Sequence, residues 1–188
     1  CIGNFDGIHL GHQKLIKKII KNAQSENFKS AILTFVPHPK VYFKKINVNF
    51  NIITNDDKKN FLNLLGVENY IEYKFNKTLS SLDAKSFIEK ILVKQLDIKK
   101  IVVGKDFRFG KDRKGNTALL KKLSGKYGYK LLIIRDVKNK ITNVKFSSST
   151  IRRNINEGSF EKVSHALGRN WFMEGKIIKG NQKARLIN

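Results

Sequence analysis

The stretch GNFDGIHLGHQKLI, residues 3–16, gathers three glycines, an aspartate and two histidines just ahead of a helical pattern. It follows the apolar CIGNF (1–5), which reads as the end of a strand. Downstream, Leu15, Ile16, Ile19 and Ile20 recur at a spacing that predicts an amphipathic helix over about residues 11–25. A strand that hands over to a helix through glycine leaves free N–H groups and the positive end of the helix dipole facing any anion. Gly11 lets the backbone approach such a ligand closely. His9 and His12 add imidazole donors that could follow charge developing on a phosphate chain. Two other readings of the histidines are capping or packing, and a metal site of His9, His12 and His38 aided by Cys1 or Asp6. The metal reading lacks an acidic or thiolate ligand at convincing spacing, and phosphate binding is preferred. Asp6-Gly7 reads either as a plain turn or, with Gly3, Asn4 and Phe5, as part of a nucleotide pocket.

Outward from this stretch the apolar period alternates. SAILTFV (30–36) reads as a buried strand stopped by Pro37 and Pro39, and DDKKNFLNLLG (56–66) as a helix with acids in its first turn. NYIEYKF (69–75) is a short strand. Ser81 is read as the N-cap of a helix over 82–96 whose apolar face is Phe87, Ile88, Ile91 and Leu92. KKIVVG (99–104), YKLLIIR (129–135) and ITNVKF (141–146) read as strands, and residues 116–126, 147–158 and 159–168 as helices. Such alternation predicts an α/β fold with a parallel sheet covered by helices on both faces. Ligands of such sheets bind beyond the carboxyl ends of the strands. That rule puts NFDGIHLGH, TFVPHP, GKDFRFG and SSSTIRR on one rim.

Each rim loop carries two readings. Ser148 or Ser149 can serve as a simple N-cap, while Arg152, one turn further, can grip a phosphate bidentately. Phe107 and Phe109, flanked by Asp106 and Arg108, can stack on a ligand ring or pack locally.

Composition narrows the class. Hydrophobic residues make up 40% of the 188, enough for a packed core. A single cysteine allows no intrachain disulfide and fits a reducing, cytoplasmic setting. No apolar run approaches the ~20 residues of a membrane span. The net charge of +23 is spread along the whole chain, which favours compositional bias over a nucleic-acid-binding face. From Trp171 the pattern turns to a strand (171–180), with Gly168 and Arg169 marking a boundary. Cys1 in first place, inside a strand pattern, is read as the mark of a fragment.

Together the loops resemble the FMN adenylyltransferase module of bacterial FAD synthetases, the bifunctional riboflavin kinase/FMN adenylyltransferase family. GNFDGIHLGHQKLI resembles the family's G-x-F-D-G-x-H-x-G-H-Q, LTFVPHP its T-F-x-P-H-P, and VVGKDFRFGKDRKGN its V-G-x-D-F-x-F-G-x-x-R-x-G. SSSTIRRNINEGSFEKVSHALGRNWFMEG resembles its S-S-T-x-I-R and L-G-R series, with Ser149 where threonine is usual. The resemblance implies a Rossmann-like nucleotidyltransferase fold and the reaction of FMN with ATP, its Mg²⁺ carried along, to give FAD and pyrophosphate. It implies that His9, His12 and Arg152 act on the phosphates. Gly3, Asn4, Phe5, Asp6, Gly7, Gly11, Ser148 and Ser149 would complete the ATP side. Thr34, His38, Pro39, Asp106, Phe107 and Phe109 would lie near the flavin. It also implies a division into an adenylyltransferase domain, 1–168, and the truncated start of a riboflavin kinase-like β-barrel, 169–188. The P-T-x-N motif of the kinase is missing, which leaves that activity unsupported. The alternatives are a nucleotidyltransferase acting on another phosphorylated acceptor, such as pantetheine phosphate or a nicotinate nucleotide, and a basic nucleic-acid-binding module.

Overall fold

A computed structural model describes residues 1–43, 51–135 and 145–175. Helix α1 (Leu10–Ser25) starts at His9, which has extended backbone angles and accepts the His12 N–H on its own Nδ1 at 3.2 Å. The apolar spacing then buries Ile16, Ile19 and Ala23. Strand β1 (Ala31–Val36) pairs in parallel with β2 (Asn69–Lys74), placing Leu33 opposite Ile71. Strand β3 (Lys100–Gly104) pairs in parallel with β4 (Lys130–Ile134), placing Val102 opposite Leu132.

Among the described residues the hydrogen-bonded pattern is two parallel two-stranded sheets, where the sequence predicts one parallel sheet. CIGNF supplies only a parallel bridge from Ile2 to Leu33, because the chain turns away after Gly3 into positive φ at Phe5 (48°). Burial on both faces is nonetheless as predicted for an α/β fold. Ile32 and Val102 enter one core with Ile16, Ile19, Leu62, Ile151, Val163 and Leu167. Their strand neighbours Leu33, Ile101 and Val103 point the other way, into a core with Phe87, Ile88, Leu92 and Leu120. Alternation of period two puts successive strand residues on opposite faces, and helices cover both.

The helices of the first core, besides α1, are α3 (Asn55–Leu64), α7 (Ser148–Asn156) and α8 (Phe160–Leu167). Those of the second are α4 (Lys77–Ser81), α5 (Ala84–Ser86), which runs directly into a π-helical stretch Phe87–Gln95, and α6 (Thr117–Tyr127). A one-turn helix, α2 (Pro39–Tyr42), follows β1.

Ser81 is not the cap of the helix after it; it ends α4. Asp83 takes the cap, accepting Ser86 N–H at 2.9 Å on one oxygen and Ser86 O–H at 2.6 Å on the other, which a serine hydroxyl could not match. Most of the strand predicted over 141–146 lies outside the described residues, as does the 176–188 part of the predicted barrel opening. Residues 171–175 carry no strand, and Trp171 packs back instead, stacked on Phe160 at 5.7 Å with its indole N–H donating to Ile52 O at 2.9 Å.

The loop after β3 is pressed onto α5. A Cβ on Gly110 would stand 2.7 Å from the backbone of Ala84, and Gly110 has φ 72° and ψ 176°, a region that excludes side chains. Gly110→Ala is therefore expected to cost about 2 kcal/mol or more, seen as a melting temperature lower by ~4–8 °C. A melt equal to that of the unaltered chain would contradict this packing.

Candidate functional site

The loop from Asn4 to His9 adopts positive φ at Phe5 (48°), Gly7 (80°) and Ile8 (41°). Non-glycine residues hold such angles only when their surroundings enforce them, and here four segments do. Asp6 is buried; its Oδ1 accepts Ile52 N–H at 2.9 Å and its Oδ2 accepts the Arg152 guanidinium. Ser148 Oγ donates to the Asp6 carbonyl at 2.9 Å. Arg169 donates to Gly7 O at 2.8 Å, and Gln13 donates to Ile8 O at 2.9 Å and Leu167 O at 2.8 Å.

This clamp stacks the two histidines. The His9 and His12 rings lie 3.6 Å apart, centroid to centroid, at 18°, with the Phe5 edge 5.1 Å from His12. His9 Nδ1 accepts a backbone N–H, so neutral His9 carries its proton on Nε2. His12 Nδ1 and Asn4 Oδ1 are sealed from water with no hydrogen-bond partner among the described residues. A side chain at Gly11 would meet the His9 ring at 3.0 Å and crowd the stack.

The surroundings are electropositive. Burial pushes His9 down to about 4, helped by the charge of Lys145. His12 falls well below its ordinary value through burial, then His9 and Lys58. His38 falls to about 4 through burial, then Arg152, Lys40 and Lys58. The imidazoles are thus neutral at pH 7 and ringed by cations, a setting that attracts anions and in which an arriving polyphosphate would raise each pKa.

A stability signature follows. His9 and His38 titrate near 4 in the fold and near 6.5 unfolded, so the unfolded chain binds more protons between those values. Their contribution is complete above pH 6.5 and is lost as pH falls towards 4. Melting scans should show this loss reduced in His38→Gln; a parallel curve would contradict it.

The rim loops meet around this stack. Asp106 pairs with Lys145 at 2.6 Å, and the charge of Lys145 reaches His9. His38 caps α2, with Pro39 its first residue, by accepting Lys40 N–H at 3.1 Å. Thr34 is buried, its hydroxyl 3.3 Å from Tyr70 Oη. Gly3 donates its N–H to Leu33 O at 3.0 Å.

Three sequence readings change. Ser147, not Ser148 or Ser149, caps α7 by accepting Thr150 N–H at 3.1 Å, which frees Ser148 for Asp6 and leaves Ser149 exposed. Arg152, expected to face phosphate, has its guanidinium paired through one nitrogen with buried Asp6, which braces the loop. Phe109 is a core residue, 6% exposed and 5.6 Å from the Phe87 ring, because the glycines beside it let the loop close onto Ala84. Phe107 is half-buried, stacked on Phe109 at 5.4 Å. Among the described residues no group of three His, Cys, Asp or Glu side chains is placed to hold a metal ion.

Sequence reasoning missed Lys58, Gln13 and Arg169. Lys58 is only 6% exposed, and its one sequence signal is the four-residue spacing from buried Leu62. Arg169 lies over the Phe61 ring at 3.9 Å while holding Gly7.

Comparison with known proteins gives a consistent result. The profile of the FAD synthetase family matches residues 1–150. The bifunctional riboflavin kinase/FMN adenylyltransferase of Buchnera aphidicola subsp. Acyrthosiphon pisum is 40% identical over 188 residues, covering 100% of this chain and 59% of that protein. The protein of the same name from Haemophilus influenzae is 33% identical, covering 99% and 60%, and that from Escherichia coli K12 is 29% identical, covering 99% and 59%. The chain thus spans about three-fifths of the length of these relatives. A crystal structure described as a macrolide-efflux protein from Streptococcus pneumoniae superposes with a TM-score of 0.79 at 28% identity, covering 90% of this chain and 64% of that one. Among the described residues no helix is long and apolar enough to cross a membrane.

Proposed function

The chain belongs to the FAD synthetase family, and on that premise we propose that it transfers AMP from ATP to the phosphate of FMN, forming FAD and pyrophosphate. A flavin phosphate oxygen attacks the α-phosphorus of ATP; the new P–O bond forms as the bond to the bridging oxygen breaks, and pyrophosphate leaves with that electron pair. The FMN phosphate has a second pKa near ~6, so it is already ionised at neutral pH and needs no general base. The protein's task is to hold two anions in line and stabilise the charge that moves between them.

The observation that carries this reading is the His9–His12 stack at the start of α1, with a sealed, unpartnered His12 nitrogen amid cations. Neutral imidazole donors in a site of low polarity stabilise developing negative charge strongly. In this proposal His9, His12 and Gly11, with the first N–H groups of α1, face the ATP phosphates. Gly3, Asn4, Phe5 and Gly7 line the nucleotide, with Ser148 and Ser149 beside them. Asp6 and Arg152 hold that loop in shape. The flavin lies against Thr34, His38, Pro39 and Asp106, and Phe107 is the ring that meets it, since Phe109 is spent on the core. Mg²⁺ enters as part of the ATP chelate; the carboxylate of Asp6 is engaged by Ile52 and Arg152.

The finer fold reading is a Rossmann-like nucleotidyltransferase, supported by the parallel pairs and the rim position of the loops. Residues 1–168 are read as the adenylyltransferase domain and 169–188 as the opening of a riboflavin kinase-like domain, with Arg169 and Trp171 tied back to the first. Kinase activity is not part of the proposal, and neither is a nucleic-acid or membrane partner. The reading places the chain in the cytoplasm, a setting the single cysteine fits. The test offers ATP and Mg²⁺ with FMN, phosphopantetheine or nicotinate mononucleotide in turn. Consumption of FMN alone is the expected result; use of another acceptor instead would overturn the assignment.

A further inference from the structure

Helix α3 opens on a capping box, Thr54 with Asp57, and carries Lys58 one turn in. Lys58 is 6% exposed, yet its Nζ has a single hydrogen-bond acceptor among the described residues, Asn55 Oδ1 at 3.2 Å, and no ion pair. An ammonium group has three donors, and burying one with a lone neutral acceptor is unfavourable unless an anion completes it. Two other part-buried cations among the described residues are paired with carboxylates, Lys100 with Glu26 and Arg152 with Asp6, while Arg169 is held by backbone carbonyls. Asp6 lies within reach of the Lys58 field, but both its oxygens are taken.

The neighbourhood says where that anion sits. The charge of Lys58 acts on His12 and on His38, and it feels Glu72 of β2. Glu72 accepts the Tyr70 hydroxyl at 2.9 Å, and Tyr70 in turn meets Thr34. Lys58 therefore stands where helix α3 meets the histidine stack and the β1–β2 side of the rim, the side assigned above to the flavin.

We propose that Lys58 is a ligand of the acceptor's phosphate, that is, of the FMN phosphate in the functional reading on which this inference rests. Its spare donors would fix the attacking oxygen beside His12, which faces the ATP chain.

FMN and riboflavin differ only in the phosphate, so their binding to one protein isolates the contact. In the unaltered chain FMN should bind more tightly than riboflavin, followed by quenching of flavin fluorescence. Lys58→Met keeps the buried stem and removes the charge. It is expected to weaken FMN about tenfold or more, the scale of a lost charged hydrogen bond, with riboflavin affinity and the KM for ATP unchanged. Lys58→Arg should retain part of the FMN preference. The free Lys58→Met protein should melt no lower than the unaltered chain, because an unpaired buried charge has gone. An unchanged ratio of FMN to riboflavin affinity in Lys58→Met would overturn the inference while leaving the functional reading intact. Equal loss of both flavins with a lower melting temperature would make Lys58 structural and overturn it as well. Failure of the unaltered chain to bind either flavin would overturn the functional reading, and this inference with it.

Discussion

His12→Ala is expected to slow FAD formation at least ~10²-fold, the effect of removing one preorganised donor from a site that stabilises developing charge. The fold should survive the change. His12 Nδ1 has no partner among the described residues, so its loss breaks no hydrogen bond there, and the aromatic neighbours of the ring are the His9 face and Phe5. The melting temperature should therefore fall by no more than a few degrees, the scale of ~1 kcal/mol. Affinity for ATP should weaken far less than turnover, because the donor is held for charge that appears during transfer. Steady-state rates with FMN and ATP, beside a melt and an ATP titration, make the check. Turnover within about fivefold of the unaltered chain would exclude His12 from the role of donor.

The second large effect is expected from Asp6→Ala. One carboxylate, its side chain 4% exposed, satisfies the Ile52 N–H and the Arg152 guanidinium and so ties the loop to two other segments. Removing one member of a buried pair strands the other; the cost is about 3 kcal/mol, the lower end for such pairs because Arg152 keeps 17% exposure. The melting temperature should drop by ~6–12 °C, and FAD formation should collapse as the histidine stack loses its frame. Pairing it with Arg152→Met should recover much of the stability, since no charge is then left unpaired. A double variant as unstable as the sum of the two single ones would mean that the ion pair does not carry the effect. Loss of activity should persist in the double variant, because the loop remains unbraced.

What the sequence made legible was the α/β alternation and the place of the histidine pair more than the partners of the loop side chains. Histidine three residues before histidine, with glycine between, reads as an anion site, a cap or a packing pair, and the structure stacks the pair where α1 begins with His9 as the cap. Strand and helix positions followed from period alone, since Ile32 and Leu33, or Val102 and Val103, must part to opposite faces. The misses have tertiary causes. Three consecutive serines are equivalent as caps in sequence, and only the approach of Asp6 makes Ser147 the cap and Ser148 the donor. Phe109 sits in a charged loop that reads as exposed, yet Gly110 and Gly115 let that loop close on Ala84 and carry the ring into the core. Nothing in a lysine-rich chain singles out Lys58; its burial comes from tertiary packing of α3. Arg169 and Gln13 clamp carbonyl groups, and a backbone acceptor leaves no mark in a sequence.

The central claim is adenylyl transfer to FMN, and the most direct measurement follows FAD and pyrophosphate together in a mixture of the purified chain, FMN, ATP and Mg²⁺. The account predicts that the two products appear in equal amounts and that neither forms when FMN is replaced by riboflavin. Hydrolysis of ATP without FAD, or no turnover from a chain that binds both substrates, would contradict it.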